Sequence, residues 1–254
     1  MERNRNCTLC PLHQNVKNVC ITGYGNPNPR FLFVGEAPGE TEDGQDQPFV
    51  GRSGQLLREH IKKFDLRTAR LSNVVRCRPP ENREPSYEEI KACRGYLADE
   101  IKETRPKFIV AVGGTALLLL TKKTGITFWS GRMVGMLQEI PVIGLIHPSY
   151  VLRSGNYEDF RKDCVSVKEV ADTIDLFRRN FPDIEIMDAV GFTGGISHDP
   201  LDAFKSEADR LKIDYKELLL RKFAARCRSG LMAELPKVLE KTRREKKKSA
   251  QESA

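Results

Sequence analysis

Short apolar runs at residues 31–34, 73–75, 108–112 and 142–146 recur along the chain, and each ends in a loop of polar or small residues. Between them, residues 55–64, 87–104 and 115–123 carry apolar side chains at helical intervals, bounded by turn signals such as Arg78-Pro79-Pro80 and Arg105-Pro106. Alternating strands and helices of this kind build an α/β domain. Because the runs are apolar at nearly every position, the strands need cover on both faces. The expectation is a three-layer α/β/α domain around a central, mostly parallel four-stranded sheet, with the functional crevice outside the carboxyl ends of the strands. That rule singles out the loops at 35–43, 76–83, 113–115 and 147–149.

Beyond residue 163 the pattern changes. Residues 165–181 read as one more helix, and an irregular glycine-containing stretch follows at 192–200. Three polar-faced helices are then expected at 201–211, 215–227 and 231–247, ending in the basic run Arg243-Arg244-Glu245-Lys246-Lys247-Lys248. The chain therefore divides into a domain at 1–181 and a helical, basic C-terminal extension at 182–254. The extension would bind DNA or a protein partner, or else be a solvated tail. Lys and Arg total 42 against 35 Asp and Glu, a net charge of +7 that favours polyanionic partners. No apolar stretch approaches the ~20 residues needed to cross a bilayer. The polar start Met1-Glu2-Arg3-Asn4-Arg5-Asn6 lacks the apolar segment of a signal peptide. A cytoplasmic chain with no membrane partner is expected, and a monomer.

Seven cysteines in such a chain direct attention to metal ligation rather than to a disulfide framework. Cys7 and Cys10 are separated by two residues, and Cys77 and Cys93 by fifteen. A CxxC turn lets two thiolates point at one metal, and a second pair can close a tetrahedral set, the alternative being two unrelated pairs; zinc and an iron–sulfur cluster both suit such ligands. Cys20, Cys164 and Cys227 have no paired spacing and read as buried small hydrophobes, with Cys20 the one credible substitute ligand.

The loop at 35–43 places Glu36, Glu40, Glu42 and Asp43 just past a strand. A solvated acidic loop is the plain reading. Its position at the sheet end of a basic protein argues for a site instead, as does the following Pro48-Phe49-Val50-Gly51-Arg52-Ser53-Gly54. Small residues there open a helix whose first backbone amides suit a phosphate. Phe49 is either a core residue or a stacking platform for a base. His147 follows an apolar run and precedes Pro148, which restricts its backbone at a strand end. Asn73 is a turn residue or a ligand. Gly113-Gly114-Thr115 also follows a strand, but no complete dinucleotide or phosphate loop is present and a tight turn suffices.

Taken together these segments resemble the iron–sulfur uracil-DNA glycosylases, family 4 of the uracil-DNA glycosylase superfamily. The resemblance rests on CxxC at 7–10, GEAPGETED at 35–43, PFVGRSGQLL at 48–57, NVVRCRPPENREP at 73–85 with Cys93 following, and HPSYVLR at 147–153. It spans roughly residues 1–180. It implies that Cys7, Cys10, Cys77 and Cys93 hold a structural 4Fe-4S cluster and that the partner is DNA containing uracil. The base would be flipped from the stack into a pocket. By that resemblance Gly35, Ala37, Phe49 and Asn73 form the uracil pocket, with Phe49 stacking on the ring and the Asn73 amide reading its polar edge. His147 would stabilise the departing base at O2. Glu36 and Glu42 are the candidate carboxylates for the sugar cation and water, because Ala37 stands where a better-known branch carries an aspartate. Arg52, Ser53, Ser149 and Arg153 would contact the DNA backbone. Asp46 stands where the family usually has glycine. An inactive cluster-bearing DNA-binding or replication-associated protein of the same fold is the alternative, and a zinc-stabilised nucleotide-binding protein a third reading.

Overall fold

The structure is a computed structural model, and it describes residues 3–64 and 68–180. The expected C-terminal helices, their basic run and Cys227 lie outside the described residues.

Four strands form the parallel centre of the sheet: β2 (Phe31–Gly35), β3 (Ala69–Asn73), β4 (Phe108–Val112) and β6 (Ile140–Leu145). They are flanked by two antiparallel edge strands, β1 (Tyr24–Gly25) and β5 (Met133–Leu137), in the order β1-β3-β2-β4-β6-β5. The sheet is thus six-stranded among the described residues, not four-stranded. Edge strand β1 is two residues long and exposed, whereas β5 is a Met-Val-Gly-Met-Leu run as apolar as the central ones, with a register shift between Met133 and Gly135. The second apolar run is also displaced. The strand ends at Asn73, and Val74 and Val75 lie beyond it, fully buried, with Val74 donating to the Gly35 carbonyl at 2.9 Å. Burial in the core, not ladder pairing, made those two residues apolar.

The strands alternate their side chains between two cores. Phe31, Phe33, Phe108, Val110, Ile143 and Leu145 face helices α2 (Arg52–Lys63), α6 (Pro148–Ser154) and α7 (Tyr157–Asn180). Leu32, Val34, Ile109, Ala111 and Val142 face α3 (Tyr87–Thr104) and α4 (Gly114–Thr121). Each fully buried Leu, Ile or Phe contributes roughly 1.5–3 kcal/mol, so cover on both faces is what stabilises continuously apolar strands. Helix α3 begins where its sequence says it must. The Ser86 hydroxyl accepts from the Glu89 backbone N–H at 3.3 Å, and the Glu89 carboxylate accepts from the Ser86 N–H at 2.7 Å, a complete capping box.

Strand β2 is followed in sequence by its neighbour β3 on one side, and the chain then crosses to β4 on the other. The loops after β2 and β4 therefore diverge, leaving a crevice at the carboxyl ends of the strands. Register places Gly35 beside Asn73 at that edge.

Candidate active site

An open cleft of about 400 Å³ occupies this crevice. Its lining includes Glu36, Ala37, Glu42, Phe49, Asn73 and His147, together with Ser53, Ser149 and Arg153. Residues up to 117 positions apart in the chain thus meet around one space, as Glu36 and Arg153 do. Gly35 lies directly behind the cleft: a Cβ there would sit 2.5 Å from Phe49 Cζ and 2.6 Å from Asn73 Oδ1. Arg52 is the exception. It is exposed at the first turn of α2 and does not line the cleft.

Phe49 is held in an unusual backbone conformation, with φ of 58°. For a bulky residue this costs about 1–3 kcal/mol and needs surroundings that enforce it. Arg58, one of the residues sequence reasoning missed, donates from Nε to the Phe49 carbonyl at 2.7 Å and from Nη2 to the Pro48 carbonyl at 2.9 Å. Gly54 closes the other side, since a Cβ on it would meet the Phe49 carbonyl carbon at 2.2 Å. The ring is almost fully buried in this cradle, and its centroid lies 6.4 Å from that of His147.

Asn73, the last residue of β3, is 5% exposed. Its side-chain amide has no hydrogen-bond partner among the described residues, although it borders the cleft. A buried amide that meets only a cleft is poised to read a ligand's polar edge.

His147 caps the start of α6. The Ser149 backbone N–H donates to its Nδ1 at 3.2 Å, and the Ser149 hydroxyl lies 2.7 Å from the same nitrogen. Nδ1 is therefore an acceptor, and the neutral ring carries its proton on Nε2. Burial, reinforced by the Arg153 charge and opposed by that of Glu42, pulls the imidazole down to about 4, so it is neutral at physiological pH.

The two glutamates hold different posts. Glu42, buried in α1 (Glu40–Gln45), accepts from the Gly51 N–H at 2.8 Å and so fixes the start of α2 beside the cleft. Glu36 accepts from the Thr115 hydroxyl at 2.5 Å, a bond that crosses the crevice from the loop after β2 to the first turn of α4. Burial raises the Glu36 carboxyl above its ordinary range against the opposing pull of Thr115. Thr115 lies in the loop at 113–115 that the strand-end rule picks out, but its bond to Glu36, like the grip of Arg58 on Phe49, exists only once the chain is folded. Pro79, Asn82 and Arg83 also border the cleft. They lie in the loop at 76–83 that the strand-end rule picks out.

Asp46, the departure from the family pattern, ends α1 with φ of 58°, a conformation that glycine adopts without strain. Its carboxylate pairs with Arg3 and, at 3.5 Å, with Arg5. The N-terminal arm is thereby tied to the loop that leads to Phe49. Asp43 makes a second tie, accepting from the backbone N–H groups of Lys17 and Asn18 at 3.0 and 2.9 Å.

A second, enclosed pocket is lined by Cys7, Cys10, Cys77 and Cys93, joined by Cys20 and Arg76. The thiols form no disulfide. Burial pushes Cys77 up to about 11 and Cys93 up to about 12, so as bare groups they are neutral at pH 7. Backbone N–H groups already point at two of the sulfurs: Cys20 donates to Cys77 Sγ and Arg76 to Cys93 Sγ, each at 3.3 Å. Arg76 Nε and Nη1 are buried with no hydrogen-bond partner, which costs roughly 1–3 kcal/mol per orphaned donor unless a ligand accepts from them. Unpartnered cationic donors and several thiols around one space fit a negatively charged metal–sulfur centre. Among the described residues, no three His, Cys, Asp or Glu side chains converge as they would on a single bound ion. Cys20 lines this pocket as well, and Cys164, on α7, is buried in the core between that helix and the sheet.

No described helix is long and apolar enough to cross a membrane. The family model described as the uracil DNA glycosylase superfamily matches residues 22–168. A type-4 uracil-DNA glycosylase of Thermotoga maritima is 45% identical over 161 residues, covering 62% of this chain and 83% of that protein. The type-4 uracil-DNA glycosylase of Pyrobaculum aerophilum is 38% identical over 172 residues, covering 63% of this chain and 86% of the relative. That of Archaeoglobus fulgidus is 35% identical over 175 residues, covering 65% and 87%. With more than half of its length matched by the family model, and with these motifs gathered at the carboxyl edge of a doubly wound sheet, the chain belongs to the uracil DNA glycosylase superfamily.

Proposed function

We propose that the chain is a DNA-repair hydrolase that excises uracil from DNA and leaves an abasic site. The observation that carries this reading is the meeting of Phe49, Asn73, His147, Glu36 and Glu42 around one cleft, in a chain similar to several uracil-DNA glycosylases. An inactive binding module of the same fold would not need all five of these groups gathered around a common space.

Uracil in a duplex is stacked and paired, so the nucleotide must swing out before its glycosidic bond is accessible. The rigid cradle of Phe49 offers a ring face for stacking, and Gly35 leaves the room that the ring and the Asn73 amide occupy. Asn73 can pair with the donor and acceptor edge that separates uracil from cytosine. Cleavage breaks the C1′–N1 bond, with the electron pair passing to the base and positive charge to the sugar. His147 would donate Nε2–H to O2 of the departing uracil. A neutral donor suits this role, because it stabilises developing negative charge without needing a proton from solvent. Glu36 and Glu42 place carboxylates at the cleft where the sugar becomes cationic and water must add its oxygen to C1′, losing a proton. Ser53, Ser149 and Arg153 border the opening and would hold backbone phosphates, with Arg52 outside the cleft at the start of α2. One chain supplies every group, so the reading needs no second copy.

In the second pocket Cys7, Cys10, Cys77 and Cys93 would hold a 4Fe-4S cluster. Such a cluster, when bound, supplies a rigid cross-link between the N-terminal arm and the segment after β3. The basic run at 243–248 supports binding of residues 182–254 to DNA or to an acidic partner.

The test is incubation with a uracil-containing oligonucleotide, without added metal or nucleotide, followed by alkali. Strand scission at the uracil position is expected from the wild type, and scission slowed by about a hundredfold or more from folded His147→Ala or Asn73→Ala. A folded, metal-loaded wild type that binds the oligonucleotide but leaves it alkali-stable would favour the inactive binding protein.

A further inference from the structure

Arg76 is the largest fully buried side chain that carries a charge, at 1% exposed, and it stands between the thiol pocket and the sheet. On the sheet side it is well partnered: Nη2 donates to Glu100 Oε2 at 2.5 Å and to the Tyr96 carbonyl at 3.3 Å. Glu100 is itself shared, accepting from Arg70 at 2.5 Å and from the Ser72 hydroxyl at 2.6 Å. Two guanidinium groups therefore meet one carboxylate, and the positive charge of Arg76 is only partly answered. On the other side its Nε and Nη1 are buried and unpartnered, and the described residues that line the pocket include no carboxylate.

A buried cation with two idle donors at the wall of a thiol pocket lacks one thing, a negative acceptor inside that pocket. We infer that Arg76 is a positioning residue for the metal centre, donating Nε–H and Nη1–H to the sulfur of the cluster and offsetting its negative charge. The inference rests on the cluster reading above. The same residue also gives its backbone N–H to Cys93 Sγ at 3.3 Å, so one residue would approach the centre through side chain and main chain together. The arrangement also has a route to the base-binding cleft. Glu100 anchors Arg76 to Ser72, which directly precedes Asn73 at the end of β3.

The experiment uses the full-length chain as purified, in wild-type, Arg76→Lys and Arg76→Gln forms. Iron content and the visible spectrum are read first. A wild type without iron overturns the cluster reading and this inference with it, before any variant is considered. In an iron-loaded wild type, Arg76→Gln is expected to shift the reduction potential to more negative values and to bleach under a chelator on the order of 10-fold faster. Arg76→Lys keeps the charge but loses the fork, and is expected to fall between the two. A folded Arg76→Gln with wild-type potential and bleaching rate overturns the inference while leaving the cluster reading intact. If Arg76→Gln does not fold, Arg76→Lys carries the test, and an unchanged potential and bleaching rate overturns the inference in the same way.

Discussion

The cleft and the thiol pocket both draw on the end of β3 and the segment after it, Asn73 lining the first and Arg76 and Cys77 the second, yet they leave polar groups idle in opposite ways. The cleft is open, and its unpartnered amide on Asn73 meets a space that solvent or a flipped base can enter. The thiol pocket is narrower and more closed, and the unpartnered Arg76 donors at its wall are themselves buried. An open site with idle donors is built for a ligand that comes and goes. A closed one with idle cationic donors is built for a ligand that stays. The two are joined by protein on both flanks: Arg76, Glu100 and Ser72 lead to Asn73, while Asp43 and Asp46 tie the cysteine-bearing arm to the helix that carries Glu42. On the proposed reading, a cluster bound in the closed pocket would hold the geometry that a base in the open cleft uses.

This contrast breaks first at the cleft. His147→Ala and Asn73→Ala are expected to lower uracil release about 10²–10³-fold in single-turnover assays with the visible spectrum unchanged, His147→Ala also losing the cap of α6, worth about 1 kcal/mol of stability. Gly54→Ala comes next. Its new methyl would lie 2.2–2.4 Å from the Phe49 backbone, which must shift, and misplacement of the stacking ring by about 1 Å costs on the order of 10²-fold.

The pH dependence separates the cleft's two kinds of titrating group. Glu36 must be ionised to favour a sugar cation, and its carboxyl is raised above the ordinary 4.5, so release is expected to fall with acidification below that raised value. Glu36→Gln removes this dependence while the Thr115 hydroxyl bond is kept by the amide oxygen. His147, at about 4 rather than 6.5, adds no inflection near neutrality. Its neutral form also links pH to stability. Between 6.5 and about 4 the unfolded chain takes up a proton that the folded chain refuses, so the stabilisation is complete above 6.5 and lost as pH falls through that window.

At the closed pocket, removal of the metal with a chelator under reducing conditions leaves neutral thiols and two idle donors. Melting is expected to fall by about 5–15 °C, read by calorimetry, given roughly 1–3 kcal/mol per orphaned donor. The smallest effect belongs to the tie between the regions. Asp46→Gly relieves the left-handed backbone and loses the Arg3 pair, two terms of opposite sign, and is expected to change stability by less than about 1 kcal/mol.

How far each region was legible follows from the range of its interactions. The strands at β2, β4 and β6 announce themselves because burial on both faces makes every position apolar. The bounds of α3 are equally plain, since the Ser86 and Glu89 capping box is local. The displaced β3 and the two-residue β1 are not, because core residues such as Val74 need no strand and a short exposed edge needs no apolar run; β5 has such a run, Met133–Leu137, legible in the sequence though not among the expected strands. At the cleft, the contiguous motifs place most lining residues. Thr115 on Glu36, 79 positions away, and the grip of Arg58 on Phe49 exist only once the chain is folded. At the thiol pocket, spacing identifies the cysteine pairs but is silent on Arg76, an arginine whose burial nothing in its neighbourhood announces.

Free uracil, measured by chromatography after incubation of the full-length protein with a uracil-containing oligonucleotide, puts the whole account at stake. Release of many uracils per protein molecule by the wild type, together with at least a hundredfold slower release by a folded His147→Ala variant, is the predicted result. Equal release by the two proteins, or none from a folded wild type that binds the DNA, would contradict it.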